Sequence, residues 1–462
     1  MNQTAPIIGG RLFDGLQRFD IGHADYTALI DPDTAFWALE RRDQPDERAA
    51  PHEREMIVAE WQSRRAEFLR EMEMLRFHLT PSAVYFNPTE RCNLDCSYCY
   101  IPRDMRRNGE HMSRDRLLDA MARLDDYFAR TMPEGRQPQI IFHGAEPLLN
   151  RDAMFAAIDA YGERFRFGVQ TNATMLDVGT LDFLMVRGVS IGLSLDAPSP
   201  EVAGRSRKRW NGDGVFASTV DAIERLKGYA GYSVICTMNR ENLEQLTPMV
   251  EFLHAHEVPT CMLNVVRCTQ PGGRDAWVED AAVAKAYLAA LDRSHDLFRQ
   301  TGRKLVVANF ANILISILAP TARRLMCDIS PCGGGRSFFA LAPDGSLFPC
   351  SEFIGLPAFA GGNLFTDRLE DVLNSPAFRK VTGRKVEDIA ACAPCPVRHF
   401  CGSPCPAEAH EANGGMDQIG AYCGFYLEQA RYAFRLIADG TASDYLWDGW
   451  DEGTETAFAF GC

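Results

Sequence analysis

The stretch that decides the fold is ERCNLDCSYCY, residues 90–100, which places Cys92, Cys96 and Cys99 within eight residues. A closed structural zinc site or an ordinary four-iron cluster uses four cysteine ligands. Three thiolates on a four-iron cube leave one iron open, and an open iron can bind a small molecule and deliver an electron into it. The spacing therefore predicts a reactive iron–sulfur centre. A zinc site that borrows a distant fourth ligand stays open as an alternative.

The composition indicates a globular protein in a reducing compartment, which we expect to be the cytoplasm. The 462 residues are 46% hydrophobic and 24% charged, and neither a membrane span nor a signal peptide is visible. Fifteen cysteines in such a chain favour metal binding over disulfides. The net charge of −14 argues against a nucleic-acid partner, and no membrane partner is expected. A basic run, GRSRKRW at 204–210, is interpreted as a solvated loop.

Short apolar strands alternate with amphipathic helices after residue 80, a pattern typical of parallel βαβ units. Six strands are predicted, at residues 84–87, 139–143, 166–171, 190–195, 233–238 and 261–266. The first three cysteines come just after the first strand, where such folds place their functional loops. The predicted class is α/β, with a partial (β/α)6 TIM-like barrel, a small α+β segment before it and a cysteine-rich domain after it.

Four regions are expected along the chain. They are 1–80, with a possible peptide-binding or barrel-packing role, 81–270, the barrel, 271–326, a helical bridge, and 327–462, the cysteine-rich domain. The first region should contain a strand in DYTALID and a helix from about Met56 to Phe77, whose apolar residues recur at helical spacing. The last should contain a hairpin in SFFALAPDGSLFPC, turning at Asp344-Gly345.

Polar motifs follow the second, third and fourth predicted strands. They are GAEP at 144–147, QTNAT at 170–174 and SLDAP at 194–198. Together with the C-x3-C-x2-C spacing, they resemble the radical S-adenosylmethionine (SAM) superfamily. The resemblance implies a cluster on the first three cysteines that binds SAM. It also implies that SAM contacts Tyr98, Gly144, Ala145, Glu146, Pro147, Gln170, Asn172, Ser194, Asp196 and Arg207.

Two details of this resemblance leave alternatives open. The family has a second glycine where this chain has Ala145, and we expect the backbone contacts to survive if φ stays negative there. Glu146 can also be interpreted as a helix-start carboxylate and Ser194 as a hydroxyl satisfied at its strand end. Arg205 is an alternative to Arg207.

The last third of the chain resembles the SPASM extension that follows many radical SAM barrels. By that resemblance, one auxiliary [4Fe–4S] cluster is bound by Cys327, Cys332, Cys350 and Cys405, and a second by Cys392, Cys395, Cys401 and Cys423. Three [4Fe–4S] clusters are then expected in all. A zinc ribbon at 392–405 remains an alternative. Cys236 and Cys261 are predicted to pack within strands, whereas Cys268 and Cys462 are unassigned.

The resemblance implies radical chemistry on a peptide. The expected enzyme is a radical SAM oxidoreductase that cleaves SAM to a 5′-deoxyadenosyl radical. That radical would take hydrogen from a ribosomally made precursor peptide and leave an oxidative thioether or carbon–carbon cross-link. The expected partners are this peptide and a reductant such as flavodoxin or ferredoxin. The alternatives are protein oxidation of the sulfatase-maturase type and modification of a small metabolite. A non-enzymatic iron–sulfur carrier leaves the strand-end motifs unexplained.

One carboxylate is a candidate catalytic base. In sulfatase-type maturases a carboxylate directly follows the cysteine equivalent to Cys350, whereas this chain has Ser351 and then Glu352. Glu352 is therefore the candidate. A surface carboxylate is the favoured interpretation of this residue.

Overall fold

The structure, a computed structural model, describes residues 12–13, 15–42 and 49–451. Its strands are β1 (Leu12–Phe13), β2 (Leu16–Phe19), β3 (Tyr26–Ile30), β4 (Trp37–Arg41), β5 (Ala83–Phe86), β6 (Gln139–Phe142), β7 (Arg166–Thr171), β8 (Ser190–Ser194), β9 (Tyr232–Met238), β10 (Thr260–Val265), β11 (Val306–Val307), β12 (Phe338–Leu341), β13 (Ser346–Phe348) and β14 (Gly362–Asn363). The hydrogen-bonded order β11-β10-β9-β8-β7-β6-β5-β12-β13-β14 makes one open sheet, and β1 to β4 make a second.

Helices connect and cover these strands. They are α1 (Ala49–Phe77), α2 (Arg103–Asn108), α3 (Arg114–Thr131), α4 (Arg151–Tyr161), α5 (Val178–Val186), α6 (Pro200–Ser206), α7 (Phe216–Arg225), α8 (Leu246–Ala255), α9 (Pro271–Asp275), α10 (Asp280–Thr301), α11 (Ala308–Leu318), α12 (Leu369–Leu373), α13 (Pro376–Thr382), α14 (Arg398–Cys401), α15 (Pro406–Asn413) and α16 (Cys423–Ala438). Among the helices described here, none is long and apolar enough to cross a membrane.

The six predicted barrel strands are confirmed as β5 to β10, which pair in parallel and in chain order. Each lies within one residue of its predicted bounds at either end. The strand interiors are apolar and buried, as in Ile140, Ile191 and Val234. Burial on both faces is typical of a parallel sheet covered by its connecting helices. The order is open, which agrees with a partial barrel.

The sheet extends beyond these six strands at both edges. β11 pairs in parallel with β10, and β12 pairs in parallel with β5 before turning into β13. Gly345 takes the turn at φ +92°, as the Asp344-Gly345 signal predicts. The added strands satisfy edge N–H and C=O groups that an open six-stranded sheet would leave unpaired. The cysteine-rich domain is thereby hydrogen-bonded directly to the first barrel strand.

The amino-terminal segment is richer in strands than predicted. β3 confirms the strand in DYTALID, but β2 and β4 flank it in an antiparallel meander, and α1 begins at Ala49 rather than near Met56. The sequence missed β2 and β4 because their charged residues do not alternate with apolar ones. This meander contacts the carboxyl-terminal part of the chain. Trp37 Nε1 donates to the Ile317 carbonyl oxygen at 2.7 Å, and its ring lies 5.4 Å from that of Phe434.

Candidate active site and cluster sites

A cavity of about 200 Å³ opens at the carboxyl ends of the barrel strands. Its lining includes most of the residues predicted from the motifs, namely Cys92, Cys96, Tyr98, Cys99, Gly144, Ala145, Gln170, Asn172, Ser194, Arg207 and Glu352. Glu146, Pro147 and Asp196 lie behind this lining and contact the residues that form it. The tertiary structure therefore brings the cysteine loop, three strand ends, Arg207 and Glu352 to one site.

The cysteine loop is held by the third strand end and by the basic run. Asn172 Nδ2 donates to Asn93 Oδ1 at 2.9 Å and lies 3.8 Å from Cys92 Sγ. Trp210 Nε1 donates to the Cys92 carbonyl oxygen at 2.8 Å. Residues 206–209 also pair with residues 94–97 through backbone hydrogen bonds. The interpretation of GRSRKRW as a merely solvated loop is therefore wrong, because this run supports the cluster-binding loop.

The three thiols lie in a setting that suits metal ligands. Burial raises the pKa of Cys92, Cys96 and Cys99, to about 11 for Cys96, so each thiol needs a bound cation to become a thiolate. Across the described ranges, no three His, Cys, Asp or Glu side chains converge as ligands of one metal ion. A zinc site needs four ligands around one ion, whereas the cysteines of a four-iron cube are spread over different irons. These three thiols therefore fit a four-iron cluster better than a zinc ion.

Glu146 links two strand ends. Its carboxylate is fully buried and accepts hydrogen bonds from Thr171 Oγ1 at 2.7 Å, Asn172 N at 2.8 Å and Leu148 N at 3.1 Å. Burial raises its pKa to about 7. In this structure the side chain acts as the helix-start carboxylate named as the alternative, and Pro147 begins the turn that it caps. The backbone of Gly144 and Ala145, and not the Glu146 side chain, lines the cavity.

That backbone is left-handed at two successive residues. Gly144 has φ +71°, and a Cβ built there would lie 2.1 Å from Asn87 Nδ2. Ala145 has φ +40°, so the condition of a negative φ, under which the backbone contacts were expected to survive, is not met. A non-glycine residue in this region costs about 1–2 kcal/mol. This strained conformation occurs at a residue that lines the cavity.

Tyr98, Asp196 and Arg207 form a buried triad beside the cavity. The Tyr98 hydroxyl donates to Asp196 Oδ2 at 2.5 Å, and Arg207 Nη2 donates to the Tyr98 hydroxyl at 2.6 Å. Arg207 Nε donates to Asp196 Oδ2 at 3.3 Å. Burial by itself lowers the pKa of Arg207, but the Asp196 carboxylate, together with Tyr98 and Cys96, offsets this and leaves the pKa well above its usual value. Arg205 instead pairs with Glu201 at the surface, so Arg207 is the arginine that reaches the site.

Gln170 and Ser194 meet across the third and fourth barrel strands. Gln170 Nε2 donates to Ser194 Oγ at 3.4 Å. Gly192 permits this approach, since a Cβ at that position would lie 2.2 Å from Gln170 Oε1. Both side chains reach the cavity lining, and the hydroxyl of Ser194 is partly satisfied by its neighbour.

Two charged side chains form the wall nearest the cysteine-rich domain. Glu352 lines the cavity, so the interpretation as a surface carboxylate is wrong. Burial raises its pKa to about 7. Glu352 Oε2 and Arg267 Nη1 are buried and, among the described residues, have no hydrogen-bond partner. Unpaired polar atoms beside a cavity are expected to contact a bound molecule.

Sequence reasoning missed several residues of the lining. His143, Thr237, Asn264 and Arg267 all lie at or just past the carboxyl ends of β6, β9 and β10. The rule that functional residues cluster at these ends could have identified them. Burial lowers the pKa of His143 to about 4, so this imidazole is neutral at neutral pH.

A second cavity, of about 290 Å³, contains the four thiols predicted for one auxiliary cluster. Cys401 ends α14 and Cys423 begins α16, while Cys392 and Cys395 come from the preceding loop. Burial raises the pKa of all four thiols, to about 11 for Cys395 and about 12 for Cys423. Ligands far apart in sequence thus surround one space, which fits a cluster.

The other predicted auxiliary ligands gather at the end of the β12–β13 hairpin. Cys332, Cys350 and Cys405 all contact one apolar cluster. Gly334 lies between two of them, since a Cβ there would be 3.4 Å from Cys350 Cβ and 3.6 Å from Cys332 Sγ. Cys327 is disulfide-bonded in this structure. Its assignment as the fourth ligand stays a prediction that requires this bond to be reduced.

Buried arginines surround these thiols. Arg384 donates to the carbonyl oxygens of Met416 at 2.6 Å and Ser403 at 2.8 Å, and Arg336 donates to those of Leu75 at 2.7 Å and Cys332 at 2.9 Å. Within the described residues, neither forms an ion pair with a carboxylate. A cluster with four thiolate ligands is anionic, so these arginines provide the counter-charge that it needs in a low-dielectric interior. The cysteines and arginines of this region therefore fit an iron–sulfur cluster.

The remaining cysteines that the structure describes are packing residues. Cys236 lies in β9 and Cys261 in β10, and both are fully buried, as predicted. Cys268 is fully buried as well, and its backbone N–H donates to Glu408 Oε1 at 2.9 Å. Cys462 lies outside the described residues.

Sequence profiles of two families match this chain. The radical SAM superfamily matches residues 86–253, and the SPASM iron–sulfur cluster-binding domain matches residues 332–396. The chain belongs to the radical SAM superfamily. Both matched ranges contain predicted cluster cysteines of this radical SAM protein, so SAM and iron–sulfur clusters are its implied cofactors.

Curated relatives align over most of the radical SAM chain. An uncharacterized protein of Archaeoglobus fulgidus is 37% identical over 418 residues, which are 90% of this chain and 94% of the relative. The cysteine-type anaerobic sulfatase-maturating enzyme of Clostridium perfringens is 22% identical and covers 78% of this chain and 98% of its own. The PqqA peptide cyclase of Granulibacter bethesdensis is 23% identical over 74% of this chain and 87% of its own.

Solved structures share the fold at low identity. Native anSMEcpe with bound AdoMet and Cp18Cys peptide has a TM-score of 0.67 at 18% identity and covers 79% of this chain and 99% of that one. Streptococcus suis SuiB bound to precursor peptide SuiA has a TM-score of 0.55 at 13% identity, over 88% of this chain and 100% of that one. These likenesses show that the barrel and the cysteine-rich domain occur together in other proteins.

Proposed function

We propose that this chain is a cytoplasmic radical SAM peptide maturase with three [4Fe–4S] clusters. It would remove hydrogen from a residue of a ribosomally made precursor peptide and leave a thioether or carbon–carbon cross-link. One observation carries the proposal. The cavity that holds the predicted SAM contacts also contains Glu352, two residues beyond the auxiliary ligand Cys350, with an unpaired oxygen. Relatives whose names include a peptide cyclase, and a SuiB structure with its precursor peptide, support a peptide substrate.

When bound, the cofactors would supply the chemistry that abstracts hydrogen from the substrate and an acceptor for the electron released when the substrate is oxidised. The protein positions the cofactors and the peptide. Cys92, Cys96 and Cys99 hold the SAM-binding cluster, while the Ala145 backbone and the Gln170 amide form the cavity wall around its ligand. Backbone hydrogen bonds hold the cysteine loop, as from Cys92 N to the Arg106 carbonyl oxygen at 2.8 Å, so this part of the site is largely preformed.

Two side chains would act on the peptide. Forming a cross-link removes one hydrogen atom, one electron and one proton, and the proton needs an acceptor in the cavity. Glu352 Oε2 is the unpaired carboxylate oxygen that can take it. Arg267 Nη1, also unpaired, can donate to a carbonyl or carboxylate of the bound peptide. Arg267 would therefore orient the peptide while Glu352 receives the proton.

Replacement of Glu352 tests this assignment. We expect Glu352→Gln to slow peptide modification by about 10²-fold, because general-base catalysis contributes 10²–10⁴-fold. SAM cleavage to 5′-deoxyadenosine in the absence of peptide should continue, since this carboxylate does not hold the cluster. Quantitative mass spectrometry of both products measures the two rates. The exposed Glu241→Gln is the matched control, and equal peptide rates in the two variants would remove Glu352 from the mechanism.

A second candidate is protein oxidation of the sulfatase-maturase type. It is favoured by the alignment over 78% of the chain with a sulfatase-maturating enzyme and by the carboxylate that follows Cys350 into the cavity. In this chain the carboxylate comes two residues after the cysteine, so it approaches the cavity from a different backbone position. We therefore rank cross-linking first.

Mass spectrometry of a co-expressed peptide separates these candidates. The probes are the peptides encoded by short reading frames beside the gene, each produced with and without this protein under anaerobic conditions. A loss of two hydrogens with retention of cysteine sulfur supports cross-linking. Conversion of cysteine with loss of its sulfur supports the oxidation instead. If SAM is cleaved but none of these peptides changes, even when the modification is carried out in deuterated water so that epimerisation adds a carbon-bound deuterium, the peptide proposal fails.

A further inference from the structure

The surface above the first cysteine loop is strongly basic. The run from Arg205 to Trp210 contains four basic residues and no acidic one. The guanidinium groups of Arg103, Arg106 and Arg107 lie 5.3–5.6 Å from the Trp210 ring centroid. We call Arg103, Arg107, Lys208, Arg209 and Trp210 the basic face. It stands out on a chain whose net charge is −14.

Part of this charge is not neutralised by the protein. Arg103 and Arg106 pair with Asp95, at 2.6 Å and 3.3 Å. In the part of the chain that the structure describes, Arg107, Lys208 and Arg209 form no ion pair. Arg107 is exposed, and Lys208 and Arg209 are half-exposed. Like-charged groups held close together destabilise a surface, so a cluster of unpaired cations suggests an anionic partner.

The basic face lies directly over the SAM-binding cysteines. Leu94 and Arg209 form an antiparallel bridge, and Asp95 N donates to the Lys208 carbonyl oxygen at 2.8 Å. Trp210 Nε1 donates to the carbonyl oxygen of Cys92 at 2.8 Å, and Cys92 is itself half-buried. An aromatic ring thus connects the outer surface to the first ligand of the cluster.

We propose that the basic face docks an acidic one-electron donor protein of the flavodoxin type. SAM cleavage consumes one electron per event, and a cluster near the surface can receive it only from a partner that approaches closely. An acidic donor is repelled by the chain as a whole, so a local basic patch is needed to steer it to the cluster. The docking contact can be small, as electron-transfer interfaces commonly are. The proposal rests on the SAM-binding cluster of the proposed function and not on its peptide chemistry.

The peptide substrate is a poorer occupant for this face. The cavity wall formed by Glu352 and Arg267 belongs to the side of the cysteine-rich domain, whereas the basic face belongs to α2 and to the segment that follows α6. A donor can therefore bind without displacing a peptide from the unpaired groups of the cavity.

Charge reversal on the basic face tests the proposal. The reconstituted variant Arg107→Glu/Lys208→Glu/Arg209→Glu is compared with wild type by 5′-deoxyadenosine formation without peptide. One series is driven by reduced flavodoxin and the other by dithionite, and calorimetry measures flavodoxin binding directly. We expect the KM and the Kd for flavodoxin to rise by about tenfold or more. The dithionite-driven rate should stay within about twofold, because Lys208 and Arg209 contact the cysteine loop through backbone hydrogen bonds that the substitutions keep. The matched control is Lys285→Glu/Arg299→Glu/Arg368→Glu, which makes the same charge change at exposed positions elsewhere.

Two results would overturn the docking surface. One is an equal rise in the flavodoxin KM for the two triple variants, which would mean that only net charge matters. The other is a wild-type flavodoxin KM that does not increase with ionic strength, since screening weakens a steered encounter. This second measurement needs no variant, so it decides the question even if the charge reversal disturbs the loop. Failure of wild type to cleave SAM with dithionite would count against the SAM site itself.

Discussion

The two regions predicted to bind clusters both bury arginines beside cysteines, but they balance the charge differently. At the barrel, Arg207 contacts the Asp196 carboxylate and the Tyr98 hydroxyl, and the three side chains are buried together. In the cysteine-rich domain, Arg336 and Arg384 donate only to carbonyl oxygens and a hydroxyl. The charge of Arg207 is therefore balanced by the protein itself, without a cluster. The charges of Arg336 and Arg384 would be balanced only when anionic clusters are bound.

The contrast matches what each region has to do. A site that binds and releases SAM must keep its shape between turnovers, and a preformed triad achieves this. A permanently ligated cluster can instead act as part of the interior, because metal binding contributes directly to folding free energy. Cluster binding would then add to the apolar cluster that already packs around Cys405, which includes Phe338, Phe353 and Phe359.

The largest expected effect separates the two regions by activity. Cys92→Ala/Cys96→Ala/Cys99→Ala should abolish 5′-deoxyadenosine formation, a loss of about 10³-fold or more, because no other thiols line that cavity among those described. Iron should fall only from about twelve to about eight per chain, as three cubes become two. Anaerobic iron analysis and product chromatography measure both. Wild-type deoxyadenosine rates, or loss of all iron, would contradict the assignment of separate clusters.

A smaller effect tests the completeness of the barrel triad. Arg207→Gln should lower the free energy of unfolding of metal-free protein by about 3–5 kcal/mol, since it leaves the buried Asp196 carboxylate unpaired. Arg205→Gln removes the exposed pair with Glu201 and should cost about 0.5 kcal/mol or less. Urea denaturation compares the two variants. Similar losses would mean that the triad does not stabilise the barrel.

A smaller effect tests whether the buried arginines of the auxiliary region balance the charge of bound clusters. Arg384→Gln removes a positive charge near Cys392 and Cys405, so the auxiliary clusters should become harder to reduce. A change of about 1.4 kcal/mol corresponds to about 60 mV for one electron. EPR-monitored redox titration should show the auxiliary potentials moving to more negative values by about this amount. Arg205→Gln is again the control. An unchanged auxiliary potential in Arg384→Gln would contradict the claim that this arginine balances the charge of an auxiliary cluster.

The smallest effect concerns the strained backbone of the barrel cavity. Ala145→Gly should raise the free energy of unfolding by about 1 kcal/mol, because glycine adopts φ +40° without a Cβ clash. The greater freedom of glycine in the unfolded chain reduces this gain. Thermal unfolding of the metal-free protein measures it. Destabilisation instead would show that the Ala145 methyl group makes packing contacts that outweigh its strain.

Much of the fold follows from local patterns in the sequence. The barrel strands were located to within a residue because short apolar runs separated by amphipathic helices leave few other arrangements. The strand-end motifs led to part of the cavity lining, since parallel strands bring their carboxyl ends to one edge. The N-terminal strands β2 and β4 were missed because their pairing depends on partners and not on their own residues. Glu352 was misjudged because its burial comes from the barrel, which is remote in sequence.

The sequence by itself determined the family and the order of the barrel strands, because these are encoded in motif spacing and local periodicity. Only the tertiary structure decided which carboxylates face the cavity, which arginines are neutralised and where the basic run lies. Those properties depend on burial and on contacts between distant segments. Ala145 illustrates both contributions. The sequence gives its residue type, whereas its left-handed φ is imposed by the strands and loops packed around it.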